Sequence, residues 1–196
     1  MQFLSGIRGE RIVFVDIGAN TGFYSLHAAQ LADSGSRIIA IEPDPNNSIK
    51  LAFQISANGF DKRIDRIECA IGSEKGTMEL YIRDSLDFGQ NSLVPASDGN
   101  RAVTSARIPV ETLLGLVNTH GLKHIDYLKI DVEGYEDQVL YPFFTGSLRV
   151  LWPKQILMEA KINEAWRRNI LSDLTTFGYS VKHTSEDNVW MVLPDQ

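Results

Sequence analysis

VFVDIGANTGFYS, residues 13–25, joins an apolar run to a glycine-bearing turn and then to a helical pattern. Residues 12–15 are almost continuously apolar, as expected of a central parallel strand covered on both faces. From Thr21 or Gly22 onward, Phe23, Leu26, His27, Gln30 and Leu31 fall at three- and four-residue steps, and Gly35 offers a stop. Working outward, residues 37–41 predict a second strand. A helix follows, entered through Pro45 and closed near Asn58 and Gly59, and residues 64–70 predict a third strand. Strand, helix, strand, helix, strand is the pattern of right-handed crossovers in a doubly wound α/β sheet.

The middle of the chain is less regular. Residues 76–82 alternate loosely and residues 101–110 are strand-like, with the stretch RDSLDFGQNSLVPASDGN between them. This predicts a small antiparallel insert, residues 76–110, whose long loop covers the substrate side. Periodicity then resumes. Residues 111–118 read as a helix, 124–130 as a fourth strand, 135–144 as a helix and 155–159 as a fifth strand. Residues 163–177 predict a helix with Trp166, Ile170 and Leu174 on one face, and residues 178–183 and 188–193 a closing pair of strands. The whole chain, 1–196, reads as one domain.

Bulk properties narrow the function classes. The 196 residues, 43% hydrophobic and 22% charged, suffice for one substantial core. A formal charge of −6 supplies no general attraction to nucleic acid. The single cysteine, Cys69, excludes an internal disulfide and any multi-cysteine metal site. No transmembrane run or leader pattern is present, so a cytoplasmic protein is expected.

The glycine turn after the first strand lets the backbone pass close to a ligand, with Gly18 and Gly22 permitting the approach. Asp16 would receive the positively charged end of that ligand, directly or through water. Glu42 follows the strand IIAI, where a carboxylate can accept hydrogen bonds from both ribose hydroxyls. That spacing would also suit a nicotinamide enzyme, but GANTG lacks the third glycine of the pyrophosphate fingerprint. Neither a GxxxxGK[ST] loop nor a GxSxG elbow occurs. In LKIDVEGYE, residues 128–136, Asp131 and Glu133 lie just past a strand end that faces the ligand crevice. They could orient a substrate hydroxyl, receive its proton, or bind a divalent cation together with Glu159; their spacing alone defines no metal cage. Lys129, inside that strand, is expected to anchor a carboxylate or a loop carbonyl.

Taken in order, DIGANTGFYS, IEPDP, ANG, CAIG and LKIDVEGYE resemble the FkbM-type family of class I methyltransferases that use S-adenosylmethionine. The resemblance runs from about Ile12 to Leu193. It implies a Rossmann-like, mostly parallel seven-stranded sheet of order 3-2-1-4-5-7-6, with an antiparallel last strand. It also implies cofactor contacts from Asp16, Gly18, Asn20, Gly22, Tyr24 and Ser25, with Glu42 on the ribose and Pro43, Cys69 and Ala70 around the adenine. Asp131 would sit beside the methionine moiety and the acceptor, and Asn91, Ser92 and Glu159 would face the substrate. The family is known for O-methylation of sugars and polyketide-like products, so a hydroxyl-bearing small molecule or glycan is the expected acceptor. Asp131 is the first choice as proton acceptor, with Glu133 or His183 in reserve. Methylation at nitrogen or carbon, and a non-catalytic cofactor-binding subunit, are the competing readings. Little chain precedes the first strand, so the acceptor approaches an open cleft or a second subunit supplies the cover, as in a homo-oligomer.

Overall fold

The computed structural model describes residues 3–83, 103–161 and 163–194. The first segment runs β1 (Val13–Ile17), α1 (Phe23–Leu31), β2 (Arg37–Ile41), α2 (Pro45–Ala57), β3 (Ile64–Ile67), β4 (Ala70–Gly72) and β5 (Gly76–Arg83). It continues through β6 (Val103–Thr112), α3 (Leu113–Thr119), β7 (Tyr127–Ile130), α4 (Glu136–Gly146) and β8 (Gln155–Glu159). It ends with α5 (Ile170–Thr176), β9 (Ser180–Thr184) and β10 (Asn188–Val192).

A seven-stranded sheet carries the order β3-β2-β1-β7-β8-β10-β9. Counting only its own strands, this is the expected 3-2-1-4-5-7-6. Strands β3, β2, β1, β7 and β8 pair in parallel, and β10 is antiparallel to both β8 and β9. Apolar side chains alternate between two buried layers, which is why the central strands read as unbroken apolar runs. Val15, Ile39, Leu128 and Ile156 face one layer with α3, α4 and α5 residues such as Val117, Phe143 and Leu174. Phe14, Ile38, Tyr127 and Leu157 face the other, with Ala28 of α1 and Leu51 of α2. Glycine and carboxylate turns therefore gather at the carboxyl ends of β1, β2, β7 and β8, above the core.

Two elements differ from expectation. Residues 64–70 are not one strand: β3 stops at Ile67, and Ala70 begins β4, which pairs with Val110 in a separate sheet of order β4-β6-β5. The 163–177 segment is not one helix either. It opens with a short 3-10 turn (Asn163–Ala165), and α5 starts only at Ile170. Carboxylates of α4 capture the intervening groups: Glu136 accepts the Trp166 indole N–H at 2.7 Å and Asp137 accepts the Arg167 backbone N–H at 3.0 Å. Asn169 then caps α5 by accepting the Ser172 N–H at 3.1 Å. The expected antiparallel insert is present as β5 and β6, paired from Gly76↔Val110 to Arg83↔Val103.

Candidate functional site

The turn after β1 is shaped by residues in the left-handed region. Gly18 has φ 72°, and a Cβ there would lie 1.9 Å from the Asp131 carbonyl oxygen, so only glycine lets these two loops touch. Asn20, at φ 52°, directs its N–H to Glu42 Oε2 at 2.7 Å. Asp44 N–H binds the other Glu42 oxygen at 3.0 Å. Glu42 is thereby fixed at the end of β2 while its carboxyl group still borders the cavity. Burial pushes its pKa up to about 7, against the lowering effect of those backbone N–H groups.

Under this turn lies a charge cluster built by strand register. Asp16 of β1 sits opposite Lys129 of β7, both on the α1 side of the sheet. Lys129 donates to the Gly18 carbonyl at 2.6 Å, and its Nζ lies 3.7 Å from Asp16 and 3.4 Å from Asp131. This confirms the reading of Lys129 as an anchor for carboxylate and carbonyl together. Burial alone would favour neutral lysine, but the two carboxylates hold its pKa above the ordinary value. Asp16 is fully buried and accepts the Ser25 hydroxyl at 2.6 Å. Its pKa is raised by burial, with Lys129 opposing.

Across the turn, Asp131, Glu133 and Glu159 bring carboxylate oxygens within 4.8 Å of one another. Such a group has the donor set for a hard cation and can equally share protons. Burial, followed by the charges of Asp131, Glu133 and Glu136, pushes the Glu159 pKa up to about 8. Glu133 is a non-glycine residue at φ 53°.

These groups surround a cavity of about 310 Å³. Of the residues expected at a cofactor or catalytic position, Gly18, Asn20, Tyr24, Glu42, Pro43, Asp131 and Glu133 line it. Asp16 and Ser25 lie beneath its floor, and Gly22, at φ 97°, starts α1 behind the lining. Cys69 and Ala70 are buried and are absent from the lining; burial pushes the Cys69 thiol up to about 11. Glu159 joins the carboxylate group. His183 lines a different cavity, which shares Tyr24 with the first. Asn91 and Ser92 lie outside the described residues. Reasoning from sequence did not single out Phe23, Asn47, Leu80 and Val132, which also border the cleft. Leu80 matters most among them, because it brings the small sheet to the cleft wall. Among the described residues, no helix is long and apolar enough to cross a membrane.

Known proteins resemble this chain in sequence and in fold. The chain is 26% identical over 152 residues to methyltransferase sdnD of Sordaria araneosa, an overlap covering 64% of this chain and 58% of that protein. The crystal structure of methyltransferase FkbM from Methylobacillus flagellatus KT superposes with a TM-score of 0.57 at 21% identity, covering 93% of this chain and 43% of that one. The O-methyltransferase from Bacillus cereus in complex with SAH superposes with a TM-score of 0.52 at 12% identity, covering 93% and 74%. These structural likenesses establish the shared fold, and the chain spans about half the length of the first two relatives. Residues 16–191 match the methyltransferase FkbM domain, and the chain belongs to that family.

Proposed function

We propose that this chain is an S-adenosylmethionine-dependent methyltransferase acting on a hydroxyl oxygen of a small molecule or glycan. The observation that carries the reading is the link between the glycine turn and Glu42 through the Asn20 N–H, with Asp131 facing them across one cleft. The cleft suits the cofactor chemically. Its turn has no room for a side chain at Gly18. Its ionisable lining groups include the carboxyls of Glu42, Asp131 and Glu133 against the Lys129 ammonium, a balance favourable to a cation once Glu42 is ionised.

Glu42 would accept hydrogen bonds from the vicinal ribose hydroxyls, and the Gly18–Asn20 turn would bear on the amino acid end. Asp16 acts at one remove, by holding Lys129 and Ser25. The bound sulfonium supplies an activated methyl electrophile, so the protein's task is alignment and proton removal. Asp131 would take the proton leaving the acceptor hydroxyl, with Lys129 fixing its carboxylate. Glu159, its pKa raised by burial and by the neighbouring carboxylates, would share protons within this group. The paired strands of the 76–110 insert would border the substrate side of this single domain, a role supported by Leu80 in the cleft wall; its loop, residues 84–102, lies outside the described residues.

Isothermal titration with S-adenosylmethionine tests the donor half, with a nicotinamide dinucleotide as control. One saturable site per chain is expected, and preference for the dinucleotide would overturn the reading. Acceptor-dependent release of S-adenosylhomocysteine, with the methyl mapped to oxygen, tests the remainder.

A further inference from the structure

A second cavity, about 300 Å³, lies beside the donor cleft and is separated from it by Tyr24. Strand register shows how close the two are. Asp16, Lys129, Leu157, Trp190 and His183 are successive partners across β1, β7, β8, β10 and β9, forming one row on the α1 side of the sheet. At about 4.8 Å per strand, Trp190 stands two strands, or about 10 Å, from Lys129. One step toward the strand ends, Glu159 pairs with Asn188, so the carboxylate group adjoins the rim of the second cavity.

The walls differ in chemistry from the donor cleft. Phe3, Tyr24, Leu157 and Trp190 form the interior, and no described lining residue is Asp, Glu, Lys or Arg. Phe3 packs edge-on against Trp190 with ring centres 5.7 Å apart, and the Trp190 indole donates to Gln155 at 3.0 Å, which fixes both rings. The polar groups, His183, Ser185 and Asn188, come from the β9–β10 hairpin. There Ser185 N–H donates to the Asn188 carbonyl at 2.8 Å and Asn188 N–H to Ser185 Oγ at 3.1 Å, making a fixed rim. Lys182 is the extra residue of a bulge opposite Trp190, and its ammonium lies 4.1 Å from the centre of the Trp190 ring, which leaves the rest of the aromatic wall uncharged.

We infer that this cavity holds the uncharged, apolar ring body of the methyl acceptor, delivering its hydroxyl past Tyr24 toward Asp131. Tyr24 is then a positioning residue shared by both ligands. The inference rests on the methyl-transfer reading and adds where the acceptor sits and which part of it is recognised: a hydrophobic ring system and not a bare polyol.

The test uses 2-naphthol, a flat apolar bicycle with one hydroxyl, and methyl α-glucopyranoside as the polyol probe. Both are titrated into isotopically labelled protein with and without S-adenosylmethionine. Saturable shifts of the Trp190 indole N–H and the Leu157 methyls with naphthol are expected, and none with the glucoside at ten times the concentration. Asn188→Phe, which narrows the rim, should weaken naphthol at least tenfold while leaving S-adenosylmethionine affinity within twofold. His183→Trp on the exposed strand is the second blocking variant, used if the first unfolds. Unchanged naphthol binding in a folded blocking variant, shifts confined to Phe23 and Leu80, or preference for the glucoside would each overturn the inference. Cofactor binding without naphthol at Trp190 removes the cavity assignment alone. Naphthol at Trp190 without cofactor binding removes the methyl-transfer reading and, with it, the acceptor role.

Discussion

Strand β7 is four residues long and has an aspartate at each end, Asp126 before it and Asp131 after it, and the two have opposite surroundings. Asp126, with a side chain only 9% exposed, is saturated: Val13 N–H at 2.8 Å, Lys154 Nζ at 2.7 Å and His124 Nε2 at 3.1 Å all reach it. Asp131 is 40% exposed, has Lys129 at 3.4 Å, and otherwise faces the carboxylates of Glu133 and Glu159. At its end of the sheet, Asp16 Oδ1 and Glu159 Oε2 are buried without a hydrogen-bond partner. The described non-glycine residues with positive φ, Asn20 and Glu133, are there too. Saturated polar groups hold a fold together. Like charges and backbone strain collected at one strand end are tolerated where a ligand uses them.

The largest effect that sharpens this contrast is expected at Asp131. Asp131→Asn keeps the shape and removes the proton acceptor, so turnover should fall by about a hundredfold or more. Cofactor affinity should stay within about threefold, because general-base loss acts on the chemical step. Parallel kcat measurements and cofactor titrations check this; equal losses in both would make Asp131 a binding residue.

Glu42 comes next. Removing it in Glu42→Ala deletes charge-assisted hydrogen bonds of about 1.5–3 kcal/mol, a roughly tenfold to hundredfold loss of cofactor affinity. The pH dependence is more specific. The Glu42 pKa is raised from 4.5 to about 7, so protonation favours the folded chain. That contribution is complete below about 4.5 and is lost as pH rises through about 7. Cofactor affinity should run the other way. The carboxylate accepts from two hydroxyls, so binding should weaken as pH falls below about 7. Titrations of the wild type and Glu42→Gln across that range check it, since the glutamine variant should give a weaker but flat profile.

At the other end of β7, Asp126→Ala leaves the Val13 N–H without its acceptor and Lys154 without that carboxylate. A stability loss of about 1–3 kcal/mol is expected, or about 2–4 °C in Tm per kcal/mol for a chain of this size. Cofactor affinity of the folded protein should not change. A tenfold weaker affinity here would erase the distinction between the two ends.

The division between legible and hidden features follows from how local each signal is. Gly18, Glu42 and Asp131 were readable because each lies at a strand's carboxyl end, which a short, mostly apolar run marks by itself. The same logic failed at IECAIG. Apolar residues recur at Ile64, Ile67, Cys69 and Ala70, yet the chain turns at Glu68 and Cys69 and gives Ala70 to a different sheet. Hydrophobicity reports burial and does not say against which partner. The 163–177 helix failed because its 3.6-residue period was real while two buried carboxylates on α4 claimed Trp166 and Arg167. The row Lys129–Leu157–Trp190 was invisible for a third reason: register between strands distant in sequence is set by the whole sheet.

The smallest effect concerns Glu133, and it asks whether strain at the Asp131 end is kept for chemistry. At φ 53° an L-residue carries a cost of about 1–2 kcal/mol that glycine avoids. Glycine returns about 0.5–1 kcal/mol of that gain as unfolded-chain entropy. Glu133→Gly should therefore be slightly more stable than Glu133→Ala, by about 0.5 kcal/mol or one to two degrees in Tm. Turnover should fall at the same time, because a carboxylate within 4.8 Å of those of Asp131 and Glu159 is gone. Glu133→Ala separates the causes, since it removes the carboxylate and keeps the strained backbone. If both variants lose turnover and the glycine is the more stable of the two, the strain is the cost of placing that carboxylate beside Asp131. If turnover is untouched in both, Glu133 belongs with Asp126 as a structural residue, and the carboxyl end of β7 is less specialised than its geometry indicates.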